Sequence, residues 1–198
     1  MSLNFRNYLC LLMFSIIAAP VWAQQWQLDP ETAPKFTITG TSTLSDWEVV
    51  CPGVSDMPST ITFNPQKPEQ IAEFGFKVPV ETMDGGRGSS MNDKIKTAFV
   101  STENPYVQFV QTQPASVTSA GSPGSFTINS TGTLSMAGMD KTVTVQSKAE
   151  VIDDALVISG FKNMKFSEFN MTPPSAMFGQ IKTHDDIVVS YELRYIKQ

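Results

Sequence analysis

Apolar or small residues alternate with hydroxyl and charged residues at period two through most of the chain. In KFTITGTSTL, Phe36, Ile38, Gly40, Ser42 and Leu44 fall on one face, and Thr37, Thr39, Thr41 and Thr43 on the other. Successive strand side chains point to opposite faces, so this stretch reads as a long strand, dry on one side and hydroxylic on the other. β-branched threonines suit a solvated sheet face. By the same count Trp47 lands on the threonine face, so a strand end or bulge is expected near Ser45 and Asp46.

The pattern recurs. IAEFGFKVPV sets Ala72, Phe74, Phe76, Val78 and Val80 on one side, and SFTINSTGTLSM gathers Phe126, Ile128, Ser130, Gly132, Leu134 and Met136. TVTVQSKAEV contributes Val143, Val145, Ser147, Ala149 and Val151. Gly138 in AGMDK marks one hairpin turn, and DDA at 153–155 closes a second into LVISGF. STITF and YVQFV supply two shorter strands, and IVVSYELRYI a long last one.

One segment departs from the alternation. SMNDKIKTAFV carries Met91, Ile95, Ala98 and Phe99 at helical spacing, with Ser89 or Ser90 as cap and the following ENP as stop. The expected fold is therefore all-β: an antiparallel barrel of about eight strands with one or two short helices, closure removing the sheet edges. Barrels of this size either fill themselves with side chains or hold one small ligand. Gly40, Ser42, Ser130, Gly132, Ser147 and Ala149 put small residues in mid-strand, which fits an internal cavity and fits sharp strand curvature equally.

Residues 1–23 read as a leader. Arg6 precedes the apolar run YLCLLMFSIIAA, and VWA follows Pro20, the layout of a secretory signal cleaved after Ala23. The run is too short for a membrane anchor. The expected exported product is a single domain, 24–198, placed in a periplasm. Cys10 leaves with the leader, and Cys51 remains as a lone thiol, read as buried and unreactive. A disulfide homodimer is open to the chain only if Cys51 is exposed. The net charge of −5 falls by one more with Arg6, and no basic cluster occurs, which excludes nucleic acid as a partner.

Catalytic and metal constellations are sparse. His184 is the single histidine, within KTHDDI, read as a polar turn before the last strand. A multi-histidine metal site is thus excluded, and a triad would need His184 with Ser45 and Asp46. DGGRGSSMND, 84–93, has glycines where an EF-hand needs oxygen ligands and Met91 where a phosphate loop needs its last glycine, so it reads as a flexible rim loop. Asp153 with Asp154 and Asp185 with Asp186 read as solvated turn residues. No catalytic residue, metal or cofactor is expected.

Several segments in order resemble the YceI-like family. They are GTSTLSDWEV, VPVETM before SMNDKIKTAF, ENPYVQF, TGTLSMAGMDKTVTV and KNMKFSEFNMTPPSAMFGQIKTHDDIVVSYEL, spanning about 36–195. The resemblance implies a lipocalin-like barrel, usually periplasmic, whose interior holds an isoprenoid lipid such as a polyprenyl quinone. It implies no catalytic residues, and where many relatives have histidine in the opening motif this chain has Ser45. The matching inward positions are Phe36, Ile38, Leu44, Phe74, Phe76, Val78 and Phe99. Phe109, Leu134, Met136, Val143 and Val145 continue the wall, with Met177 and Phe178 as lid groups. The alternative expectation is a barrel filled by its own side chains that acts through its surface as a stress-related or structural interaction protein.

Overall fold

A computed structural model describes residues 24–65 and 70–198. The leader, 1–23, lies outside the described residues. The strands are β1 Gln25–Leu28, β2 Lys35–Ser42, β3 Trp47–Val50, β4 Thr60–Thr62, β5 Gln70–Ile71 and β6 Gly75–Pro79. After the helix α1, Ser89–Ala98, come β7 Tyr106–Gln111, β8 Ala115–Ser119, β9 Ser125–Met136, β10 Met139–Ile152, β11 Ala155–Lys165, β12 Ser175–Ala176 and β13 Ile181–Lys197. No described helix is long and apolar enough to cross a membrane.

All the pairing is antiparallel, and the main path of the curled sheet runs β3-β2-β13-β11-β10-β9-β7-β6. The expected eight-stranded barrel is thus present as a curled half-barrel. Its two edges, β3 and β6, are tied by two bridges: Val50 of β3 exchanges backbone hydrogen bonds of 2.9 Å with Asp84 beyond β6, and Ser55 beyond β3 exchanges bonds of 2.8 Å with Lys77 of β6. Side chains complete the closure. Tyr191 of β13 stacks on Phe36 of β2 at 5.6 Å, Phe36 meets Phe76 of β6 at 4.9 Å, and Phe76 stacks on Phe109 of β7 at 5.6 Å. This ring ladder crosses from one side of the gap to the other, each contact adding about 0.5–1.5 kcal/mol beyond its buried area.

Both predicted hairpins form. Ala137 and Gly138 lie between paired Met136 and Met139 with φ of 50° and 78°, and Asp153 and Asp154 take 47° and 60° between paired Ile152 and Ala155. Two positive φ values in a two-residue loop make the turn that matches strand twist.

Several boundaries differ from the alternation pattern. β2 stops at Ser42 because the Ser42 hydroxyl donates to the Ser45 carbonyl and accepts from the Leu44 and Ser45 amides, folding the chain back. Leu44 therefore stands on an exposed turn, and Trp47 pairs with Gly40 in β3, on the inner rather than the threonine face. IAEFGFKVPV splits into β5 and β6, and Ala72 is exposed. The helix is capped by Gly88, whose φ is 80°, rather than by a serine, and it ends ahead of ENP where Val100 turns left-handed at φ 51°. Phe99 is the buried residue just past it.

KTHDD is not a turn. It lies inside β13 as a bulge: β2 advances from Gly40 to Ser42 while β13 advances from Ile187 to Thr183. The surplus residues leave the ladder and find other partners. Asp185 accepts from the amide and hydroxyl of Ser167, which hold its carboxyl below the usual range. Asp186 pairs with Lys165, and His184 Nδ1 meets Thr41 Oγ1 at 2.7 Å.

Candidate functional site

Three inner-face glycines decide what the barrel contains. A Cβ on Gly40 would sit 2.3 Å from the Trp47 ring, on Gly132 2.6 Å from the Phe109 ring, and on Gly160 2.5 Å from the Tyr191 hydroxyl. Each glycine leaves room that a neighbouring strand's aromatic ring occupies, a cross-strand device that also lets the sheet curve. The space that small mid-strand residues leave is thus taken by rings rather than left open. Tyr191 reaches over Gly160 to hydrogen-bond Ser147, which satisfies two buried hydroxyls at once.

What remains are two narrow chambers. The outer, about 90 Å³, lies beneath α1, walled by Met91, Ile95 and Phe99 on one side and Trp47, Val49 and Phe166 on the other. The inner, about 60 Å³, lies along the ring ladder. Ile38 is part of both walls and stands between them. Both chambers are far below the roughly 300–1,000 Å³ of pockets that enclose a drug-sized ligand.

The sequence-predicted wall is assembled selectively. Phe36, Ile38, Phe76, Val78, Phe109, Leu134, Met136, Val143 and Val145 all line the inner chamber, while Ile38 and Phe99 line the outer. Phe74 lines neither; it packs against Phe109 at 6.4 Å. Leu44 is exposed on its turn, and Met177 and Phe178 stand in solvent, Phe178 fully so, both with left-handed backbone. None of these three touches a chamber, because their loops turn outward at the rim.

Alternation had not assigned Trp47, Cys51, Met83, Lys162, Met164 or Tyr191 to the walls. Extending the LVISGF alternation three residues further would have found Lys162 and Met164.

Polar groups gather at the outer mouth. Arg87 donates to Ser45 Oγ at 3.2 Å, Lys94 to the Ser175 carbonyl at 3.0 Å, and Trp47 Nε1 to the Thr41 carbonyl at 3.1 Å. The 84–93 segment is tied rather than loose: Gly86 N–H donates to Asp84 Oδ1 and Gly85 N–H to Asn92 Oδ1. Ser45 is engaged by Arg87 and His184 by Thr41, so a serine–histidine relay is not assembled. Inside, burial pushes the Cys51 thiol up to about 12 and raises Tyr191, the latter partly offset by Ser147. Buried Cys51 has no surface from which to form an intermolecular disulfide.

A curled antiparallel sheet around apolar chambers, with one helix across the mouth, defines a small lipocalin-like β-barrel. More narrowly, a YceI-like domain is recognised over residues 26–195, and the chain belongs to that family. No curated protein matches it. Among solved structures, Burkholderia cenocepacia BcnA is similar with a TM-score of 0.64 at 20% identity, over 81% of this chain and 95% of that one. A polyisoprenoid binding domain from Saccharophagus degradans implicated in plant cell wall breakdown aligns at 0.58 and 10% identity, over 89% and 99%. The Campylobacter jejuni YCEI protein aligns at 0.55 and 14%, over 76% and 84%. At these identities the likeness is one of fold.

Proposed function

We propose that the protein is an exported carrier that takes an isoprenoid chain, a polyprenyl quinone or polyprenyl lipid, into its barrel and catalyses no reaction. The observation that carries this reading is the pair of largely apolar chambers inside the sheet whose walls share Ile38. Membership of the YceI-like family and the fold shared with a polyisoprenoid binding domain support it. The leader at 1–23 supports delivery of residues 24–198 to the periplasm as one domain without a lasting membrane anchor.

The chambers are too small to take a long chain as they stand, so binding requires the Ile38 partition and the ring ladder to give way. An isoprenoid tail burying about 500 Å² gains on the order of 12 kcal/mol gross. Association and ordering costs remove much of that, and rearranging rings and methionines removes more. Micromolar to nanomolar binding still fits the remainder.

The same small volumes favour a second reading, a self-filled barrel acting through its surface. Native mass spectrometry of the protein purified from its own periplasm separates the two. A bound mass in the isoprenoid range that is lost on organic extraction supports the carrier. A protein that stays empty through repeated exposure to prenyl lipids refutes it.

A further inference from the structure

Strand pairing leaves a seam in the sheet. β10 and β11 are paired from Ile152–Ala155 at the hairpin as far as Ser147–Gly160, and there the ladder stops. β10 nevertheless runs on to Met139 paired with β9, and β11 runs on to Lys165 paired with β13. The two strands part, and the inner chamber has lining residues on both lips, Val143 and Val145 on one, Lys162 and Met164 on the other. At its far end the seam is covered where Asn170 Nδ2 meets Met139 Sδ at 3.5 Å and Lys141 lies over the Phe169 ring. Midway, one side chain spans it: Lys162 Nζ donates to the Thr144 carbonyl at 3.0 Å.

Lys162 follows Gly160 by two residues and so shares its inward face. It is the only lysine, arginine or acidic residue among the residues lining the inner chamber. An ammonium has three hydrogens to donate, and the Thr144 carbonyl takes one. The chamber wall itself is wholly apolar, so it is the lysine's carbon stem that lines it while the ammonium stands at the exposed side of the seam. A ligand oxygen that reached the seam would meet it with a charge-assisted bond.

We infer that Lys162 anchors the oxygen-bearing head of the bound isoprenoid at this seam, with the tail running past Ile38 toward α1. This rests on the carrier reading above. A quinone carbonyl and a prenyl phosphate share the required acceptor, and they differ in charge.

The test compares squalene, menaquinone-4 and geranylgeranyl phosphate on wild type, Lys162→Met and Lys162→Arg, by quenching of tryptophan fluorescence. Lys162→Met should weaken whichever head-bearing probe is the true class by about ten-fold or more relative to squalene, with Lys162→Arg restoring it. A salt-sensitive loss confined to geranylgeranyl phosphate identifies a phosphate head; a loss confined to menaquinone-4 identifies a carbonyl head. Equal binding of all three probes to wild type and Lys162→Met overturns the anchor and leaves the carrier reading standing. Failure of wild type to bind any probe overturns both.

A second measurement avoids substitution altogether. All-trans-retinal, an isoprenoid aldehyde, condenses with an amine to an imine with loss of water, and borohydride reduces the imine to a secondary amine. Peptide mapping should place the label on Lys162; labelling spread over the other lysines overturns the proposal.

Discussion

Replacing Ile38 by alanine should move stability and binding in opposite directions. Ile38 is buried, and its side chain forms part of the wall of both chambers. Truncation removes three buried carbons, about 2.4 kcal/mol of transfer free energy at roughly 0.8 kcal/mol each. The unfilled space adds to this, which sets the total at about 3–4 kcal/mol. For a chain of this size, that lowers Tm by about 6–15 °C. The deletion also joins the chambers into one longer apolar space, so a tail no longer has to displace the isoleucine. Squalene at about 100 times its Kd would return roughly 2.7 kcal/mol. Differential scanning calorimetry with and without squalene should show a larger ligand-induced rise in Tm for Ile38→Ala than for wild type. If Ile38→Ala is destabilised as calculated and squalene raises its Tm no further than it raises that of wild type, Ile38 is not the barrier to entry and the two-chamber path is wrong.

Other outcomes follow from the same geometry. Gly132→Ala would bring a Cβ to 2.4 Å from the Val110 carbonyl, a backbone atom with little room to yield, and should cost about 3 kcal/mol in urea denaturation. Gly160→Ala would press a Cβ against the buried Tyr191 ring, with the Gln146 carbonyl also 3.1 Å away, and should cost a similar amount by breaking the Tyr191–Ser147 bond. Cys51, held up to about 12, and Tyr191 and Tyr195, also raised by burial, are neutral in the fold and ionise more readily unfolded. Their stabilisation is complete below about pH 9 and is lost as pH rises toward 12, and Cys51→Ala should make the decline in denaturation midpoint shallower by one proton. Met177→Ser and Phe178→Ser remove side chains that stand in solvent and should change stability by no more than about 0.5 kcal/mol by the same measurement.

Local chemistry was legible in the sequence. Ala137–Gly138 and Asp153–Asp154 announce their turns because the flanking alternation and the turn residues lie within a few positions of each other. Half of the inner chamber's lining was legible too, since Phe36, Leu134 and Val145 follow from period two and Phe109 from the family resemblance. The occupancy of the space above Gly40, Gly132 and Gly160 was not, because the rings that fill it arrive from other strands at registers the sequence does not display. Leu44 misled for the opposite reason: the alternation continues through STL, but the Ser42 hydroxyl captures the backbone and ends the strand first. In KTHDD, polar composition suggested a turn, whereas the flanking pairs keep the segment in the sheet and push it into a bulge. Lys162 went unassigned because a lysine after an apolar run usually marks its end.

The last strand, β13, pairs with β11, β2, β1 and β12, and Gln198 N–H donates back to the Gln25 carbonyl at 3.2 Å. β1 and β2 thus wait for a strand made well after them. A ribosome or a translocation channel holding β13 withholds a partner that both use, so the emerging polypeptide stays threadable until that strand is free. Removing the final few residues would strip β1 of its partners Tyr195, Ile196 and Lys197 and leave it held by β4 alone.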